Sequence, residues 1–474
     1  MRGYDWEALL DGARSEALGF LQGLPGRRIA PAATRDELRR GLGGPLPEGP
    51  SDPKAVVAEL AKLADRGLLA TASGRFFGFV IGGPLPATVG AEWLTAAWDQ
   101  CAGFHALSPA AAVAEEVAAA WLLELFGLPR DASVGFVTGA QMAHFTCLAA
   151  GRDAVLRRAG WDVEADGLVG APPVTVLVGR ERHATVDRAL RYLGLGTAAI
   201  REVEVDGQGR MRPDALAGML RDPSGPTIVC AQVGNLNTGA LDPVGEVCEA
   251  AHRARAWVHV DGAFGLWAAA SPFLRPLTRG LELADSWATD AHKWLNVPYD
   301  SGIAVCAHPQ AHRAAMTGSA SYFPQGAGGG RDPMDWNPEL SRRARGFAVW
   351  AALRSLGASG VADLVDRCCA LARRFAASLA GTDGVRVLNE VVLNQVLVRF
   401  GDDDDDLTRR VIEAVQREGT CWMAGATWRG RHVMRISVSN WSTDEDDVDR
   451  SVDAVLHCYA LQRRAATAEA RQSS

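Results

Sequence analysis

From Val134 onward, short apolar, β-rich runs alternate with stretches of helical periodicity. The runs lie at 134–138, 174–178, 200–205, 227–233, 257–261, 286–289 and 302–306. Strands that are apolar on both faces, separated by helices, predict an α/β sheet covered on its two sides. After Gly330 the pattern predicts a long helix over 338–356, then a smaller α+β segment with strands near 395–400 and 432–438. The acidic run 402–406 reads as a solvated turn before a helix over 407–418, where negative charge favours a helix N-terminus. Residues 1–75 carry helical patterns broken by the Gly/Pro-rich stretch 41–47. That segment is too interrupted for a core of its own and reads as an arm packing on something else. Tandem repeats are absent from the pattern.

Length and charge narrow the class. At 474 residues the chain exceeds the ~250–300 that one core serves. A net charge of −7 argues against a dedicated nucleic-acid binder, whose footprint is basic. No uninterrupted apolar run approaches the ~20 residues that span a bilayer. The start Met1-Arg2-Gly3-Tyr4-Asp5-Trp6 carries an early acid and no signal-peptide core, so a soluble cytoplasmic protein is expected. Nine scattered cysteines without a C-x-x-C spacing argue against a disulfide framework or a cysteine zinc cage.

Lysine is the informative residue. It occurs three times, at Lys54, Lys62 and Lys293, among 49 basic residues. Arginine replaces lysine for surface charge but not for amine chemistry, because guanidinium stays protonated. Lys54 and Lys62 fall in the amphipathic stretch 52–69, whereas Lys293 follows a strand in Thr289-Asp290-Ala291-His292-Lys293-Trp294.

Three features precede Lys293. Phe136-Val137-Thr138-Gly139-Ala140-Gln141 is a strand entering a small-residue turn that opens a helix, a cradle for an anion. His183 stands just beyond the next strand, where α/β proteins keep ligands. Val258-His259-Val260-Asp261-Gly262-Ala263 is an apolar strand ending in an acid that needs a positive partner. A protonated pyridine nitrogen is one such partner. A metal held by the H-x-D pair is another, although no third ligand is near. Lys293 lies thirty-two residues after Asp261. A lysine amine forms a Schiff base with an aldehyde cofactor while an acid holds the ring nitrogen protonated. The order of these features therefore favours pyridoxal 5'-phosphate.

At these residues the chain resembles the group II pyridoxal-phosphate decarboxylases, the family of aromatic L-amino-acid, histidine and glutamate decarboxylases. The resemblance runs from about Arg75 to Val455. It rests on Arg75-Phe76-Phe77-Gly78-Phe79, Ser108-Pro109, Thr138 to Met142, His183, His259 to Ala263, His292-Lys293-Trp294 and Ser341-Arg342-Arg343. It implies fold type I, the PLP-dependent transferase-like α/β fold: a large seven-stranded mixed-sheet domain, a small C-terminal α+β domain and an N-terminal arm wrapping a dimer partner. The corresponding divisions are 1–75, 76–335 and 336–474.

Carried over by position, the resemblance makes Lys293 the Schiff-base lysine, Asp261 the partner of the pyridinium nitrogen and His183 the residue stacked on the ring. Ala263 would lie under the ring. Gly139, Ala140 and Gln141 would hold phosphate, with Asn235 near the ring hydroxyl and His292 beside the lysine. Phe79, Val80, Phe104 and His105 would wall the substrate pocket. Tyr322, ahead of the Gly-rich run 326–330, looks like the acid on a closing loop that protonates Cα after carbon dioxide leaves, in the partner subunit's site. Members with phenylalanine there, or without the stacking histidine, tend toward oxidative aldehyde formation. Retention of Tyr322 and His183 implies decarboxylation of an L-amino acid, aromatic by family preference, to its amine by a homodimer. An aromatic aldehyde synthase is the alternative, followed by another fold type I carbon–carbon lyase. No metal, nucleic acid or membrane partner is expected.

Three positions depart from the family pattern. Asp290 stands where many members have asparagine close to the phosphate. A second anion there must be protonated, point elsewhere or be met by a cation. Cys101 lies in a region resembling a pocket wall, and Val80-Ile81-Gly82-Gly83 replaces larger or stiffer residues.

Overall fold

The computed structural model describes residues 5–221, 225–318, 330–401 and 404–472. Seven strands, β1 (Ser133–Val137), β2 (Thr175–Gly179), β3 (Ile200–Val203), β4 (Thr227–Gln232), β5 (Trp257–Asp261), β6 (Ser286–Asp290) and β7 (Gly302–Cys306), form one sheet in the order β1-β7-β6-β5-β4-β2-β3. β7 runs antiparallel to both neighbours, while β6, β5, β4, β2 and β3 pair in parallel. All five residues of β1, β5, β6 and β7 are buried, which is why these strands read as runs rather than alternations. The expected seven-stranded mixed sheet is present, with each strand within two residues of its sequence-predicted bounds.

A second sheet follows in the order β10-β11-β9-β8, all antiparallel: β8 (Val385–Val387), β9 (Gln395–Phe400), β10 (Ala424–Trp428) and β11 (Arg431–Ser437). Sequence patterning finds β9 and β11 only. β8 is three residues long, and β10, Ala-Gly-Ala-Thr-Trp, has too few large apolar side chains to signal a strand. The β10–β11 hairpin turns through Arg429 and Gly430, both at positive φ, as the twist of a two-residue hairpin requires. Asp404 caps the helix Asp405–Glu418 by accepting from the Leu407 amide, in keeping with the reading of the acidic run.

The long helix begins later and runs further than the pattern predicts, Gly346–Ala380, with non-helical backbone at Gly357 (φ 63°). By length and composition it is apolar enough to cross a membrane, contrary to the sequence reading. Its apolar side chains, including Val361, Leu364, Val365, Cys368 and Phe375, lie instead in the principal core beneath both sheets.

The arm helices Trp6–Gly23, Arg35–Leu42 and Pro53–Asp65 are well capped yet contain no buried residue. Thr34 and Glu37 form a reciprocal capping box, and Asp52 accepts from Ala55 ahead of Pro53. The arm is tied to the body through Ile29, fully buried with Ala70 and Phe76, whose amide donates to the Gly419 carbonyl at 2.9 Å.

At the sheet end opposite the strand carboxyl termini, Asp285 joins three strands. It accepts from the Val258 amide at 2.7 Å and meets His252 at 3.1 Å and His308 at 2.7 Å. Burial pushes this carboxyl up, but its hydrogen bonds to His252, His308 and Val258 outweigh that and bring it down to about 2 from 3.8. A depressed carboxylate contributes stability above its unfolded value and loses it as pH falls toward the folded one. Asp285→Asn should therefore lower unfolding free energy by about 2 kcal/mol at neutral pH, the deficit shrinking as pH falls from about 4 to 2. Urea midpoints across that range would check this; a deficit independent of pH would refute it.

Candidate active site

The carboxyl ends of β1, β2, β4, β5 and β6 converge, and the residues singled out in the sequence lie at or just beyond them. Asp261 ends β5. Asp290 ends β6 and leads into the turn that carries His292 and Lys293. β1 runs through Gly139 into the helix Ala140–Arg158. Here β7 presses on the turn: a Cβ at Gly302 would lie 2.4 Å from the Gly139 Cα, so only glycine allows the approach.

Asp290 is met by a cation, the third of the three outcomes open to it. Lys293 Nζ lies 3.0 Å from its Oδ2, and His292 Nε2 lies 3.4 Å from its Oδ1. The Ala140 amide, first in its helix, donates to the same Oδ1 at 2.5 Å. This carboxylate thus links the lysine turn to the helix start, where it takes the one donor of the Ala140 amide that was expected to hold phosphate. His292 is further fixed by the Ser301 amide at 3.2 Å and by the Tyr299 ring stacked at 4.2 Å. Gly82 packs against the same turn, where a Cβ would meet the Lys293 carbonyl at 2.1 Å.

Asp261 is buried and ionised. Burial works to raise its carboxyl, but the imidazoles of His144 and His183, the Lys293 ammonium and the Ala263 amide hold it below the ordinary carboxylate range. Ala263 donates to Asp261 Oδ1 at 3.1 Å while its carbonyl accepts from the Asp290 amide at 2.9 Å, so one residue spaces the two acids. His183 caps the helix Ala184–Tyr192. Its Nδ1 accepts from the Thr185 amide at 3.3 Å and faces Thr185 Oγ1 at 2.7 Å. Burial and the nearby Lys293 lower its pKa against the pull of Asp261, leaving a neutral imidazole with its proton on Nε2.

Two expected roles are corrected. Asn235 donates to the Glu181 carbonyl and Gln232 Oε1, and accepts from the Asn237 and Thr238 amides. An amide has two donors and one oxygen with two acceptor positions, so nothing remains for a ring hydroxyl. Val80 is fully buried in the main core and does not wall a pocket. Phe79 and Val80 are consecutive residues at positive φ, 62° and 76°, a strained arrangement for a β-branched side chain. Unlike Val80, Phe79 remains exposed and stacks on Trp422 at 5.6 Å. Phe104 is buried, and the His105 amide donates to Asp332 at 2.8 Å. Gln141 accepts from Arg188 at 3.2 Å. Tyr322 and most of the Gly-rich run lie outside the described residues. Cys101 is partly exposed and forms a bridge with Arg343.

Sequence reasoning missed His144, which stands 3.6 Å from Asp261, and the buried Arg342–Glu115 pair. The only sequence signal for His144 was one histidine on an otherwise apolar helix face. A cavity of 710 Å³ beside the Gly357 break shares no residue with the cluster around Lys293.

The donor set fits pyridoxal phosphate. A buried, ionised Asp261 suits a protonated ring nitrogen, and the imidazole nearest to it, His144 at 3.6 Å, is held neutral by burial and does not cancel its charge. An amine and a helix N-terminus lie close by, joined through Asp290. Comparison with known proteins agrees. The chain is 29% identical over 462 residues to tryptophan decarboxylase 1 of Oryza sativa subsp. japonica, covering 89% of this chain and 86% of the relative. It is 25% identical to an aromatic-L-amino-acid decarboxylase of Bacillus atrophaeus (90% and 89% covered) and 26% identical to a 4-hydroxyphenylacetaldehyde synthase of Rhodiola rosea (72% of each). The fold matches the crystal structure of Oryza sativa TDC with PLP and tryptamine at a TM-score of 0.89 and 24% identity, over 96% of this chain and 98% of that one. With the pyridoxal-dependent decarboxylase conserved domain matched over residues 36–400, the chain belongs to the pyridoxal-dependent decarboxylases.

Proposed function

We propose that this carboxy-lyase converts an aromatic L-amino acid to its amine and carbon dioxide, acting as a homodimer. The observation that carries the amine reading is His183: a neutral imidazole anchored as a helix cap and electrostatically coupled to both Asp261 and Lys293. When bound, the cofactor supplies an aldehyde for covalent capture of the amino group and a ring that accepts the electrons of the breaking bond. Asp261 keeps the ring nitrogen protonated, and Lys293 carries protons to and from the reacting nitrogen. Asp290 holds the Lys293 amine over the cradle at 3.0 Å. His183 packs on the ring without adding a positive charge. Tyr322 delivers the proton to Cα.

Relatives named for tryptophan and aromatic L-amino acids support an aromatic side chain, and the exposed Phe79 stacked on Trp422 offers an aromatic face for one. The homodimer is supported by the arm, whose Trp6, Leu10 and Leu18 project from helices with no buried residue. A second reading, an aromatic aldehyde synthase, draws support from the Rhodiola relative.

A panel of L-amino acids incubated with the holoenzyme, with carbon dioxide, amine, aldehyde and peroxide followed together, separates the two. The expected result is amine equal to carbon dioxide with no peroxide, best with an aromatic substrate. Stoichiometric aldehyde and peroxide would overturn the amine reading, and a best substrate that is acidic or aliphatic would overturn the aromatic one.

A further inference from the structure

Behind Asp261 runs a buried line of polar side chains that the proposed reaction does not use. Trp257, His259 and Asp261 alternate along β5 and therefore share one face of the sheet. Trp257 Nε1 donates to Ser286 Oγ at 2.9 Å, Ser286 Oγ meets His259 Nδ1 at 3.0 Å, and His259 Nε2 meets His144 Nδ1 at 2.9 Å. His144 descends from the Ala140–Arg158 helix, and its Nε2 stands 3.6 Å from Asp261 Oδ1 with no hydrogen-bond partner. Both histidines are fully buried. His259, which its spacing offered as a metal ligand, is instead the middle of this line.

The carboxylate end and two neutral imidazoles set the direction of the line. An ionised carboxylate only accepts, and each neutral ring has one donor and one acceptor, while the indole N–H at the other end only donates. Protons must then point from Trp257 to Ser286, from Ser286 to His259, from His259 Nε2 to His144 Nδ1, and from His144 Nε2 toward Asp261. The opposite order would set a bare imidazole lone pair against the Asp261 carboxylate. The groups facing His144 are Asp261, Asp290, Lys293 and His259, and burial prevails over the two acids to keep His144 neutral. His259 is likewise neutral, its pKa lowered to about 3 by burial and by His144.

We propose that His144 is a positioning residue for the cofactor ring: as the last donor of the Trp257–Ser286–His259–His144 line, it faces Asp261 Oδ1 across 3.6 Å, draws that oxygen toward itself and leaves Oδ2 to the ring nitrogen. His144 and the Ala263 amide both fall on Oδ1. A neutral donor orients the carboxylate without cancelling its charge, as a lysine or arginine there would. Directed chains of buried hydrogen bonds polarise one another, so Ser286 and Trp257 strengthen the His144 donor at a distance.

This inference rests on Asp261 meeting the ring nitrogen, and the test separates the two. Holoenzyme reconstituted with pyridoxal phosphate carrying ¹⁵N in the ring reports the nitrogen's protonation directly by NMR. His144→Leu should move the ring-nitrogen resonance toward the unprotonated value and weaken cofactor affinity about tenfold, the scale of a hydrogen bond to a charged group. Turnover should fall with KM little changed. His144→Gln, whose amide still donates, should restore the resonance. Ser286→Ala, one oxygen smaller, should move it in the same direction with roughly a two- to threefold loss of affinity, and it decides the matter if His144→Leu fails to fold. Resonances unmoved in the His144 and Ser286 variants but moved in Asp261→Asn would overturn the positioning role alone. A resonance unmoved in Asp261→Asn as well would overturn the Asp261 assignment beneath it.

Discussion

Lys293→Ala should abolish covalent retention of the cofactor while leaving the protein folded. After borohydride treatment, the native holoenzyme should carry the cofactor on the peptide that contains Lys293, and the variant should carry none. Turnover should fall by at least about 10²–10⁴-fold, the contribution of a positioned proton carrier alone. No other lysine is placed to substitute, because Lys54 and Lys62 both sit exposed on the arm helix Pro53–Asp65, and the remaining basic residues of this kind carry a permanently protonated guanidinium. Lys293→Arg should fail equally for that reason. Folding should survive, since Asp290 keeps the Ala140 amide at 2.5 Å and His292 at 3.4 Å. Cofactor recovered on a different peptide of the native enzyme would place the chemistry elsewhere.

Arg342→Ala should be the most destabilising single change, about 3–5 kcal/mol in denaturant unfolding. The Arg342 guanidinium is wholly buried, 2.7 Å from Glu115, and donates to the carbonyls of Ala102 at 2.8 Å and Phe136 at 2.6 Å. Removing it strands Glu115 in the interior, where burial already pushes the carboxyl up against the pull of Arg342. Gly346 closes over the pair, a Cβ there falling 2.4 Å from Glu115 Cγ, so water has little room to replace the lost charge. The site should suffer too. Phe136 lies on β1 just before the anion cradle, and Ala102 precedes Phe104, so one side chain holds both in register. Replacing Glu115 and Arg342 together by methionine should recover most of the lost stability, because two apolar groups leave no charge unpaired. A single variant as stable as the native enzyme would show the pair to be dispensable.

The elements that sequence patterning found and missed differ in how local their causes are. Runs such as Trp257–Asp261 are apolar because both faces of that strand are covered, and this shows in any window of the chain. The Gly346–Ala380 helix was misjudged at both ends. Residues 338–345 are drawn off the helix by contacts such as the Cys101–Arg343 bridge, and Gly357 breaks the backbone without ending the helix because the core holds both halves.

The same division runs through the site. Lysine scarcity, the acid at the end of β5 and the histidine after β2 were legible, because each is a residue type whose chemistry constrains where it is worth keeping. The sequence by itself determined the α/β sheet and the cofactor class, and it singled out Lys293, Asp261 and His183 as the residues to look at. Only the tertiary structure decided how Asp290 is neutralised, that Asn235 is spent on its own turn, that Val80 faces the core, and that His144 stands behind Asp261. Those outcomes depend on pairs such as Ala140–Asp290 and His144–His259, 150 and 115 residues apart. Periodicity records which face of an element is buried, but not which side chain of a distant element meets it there.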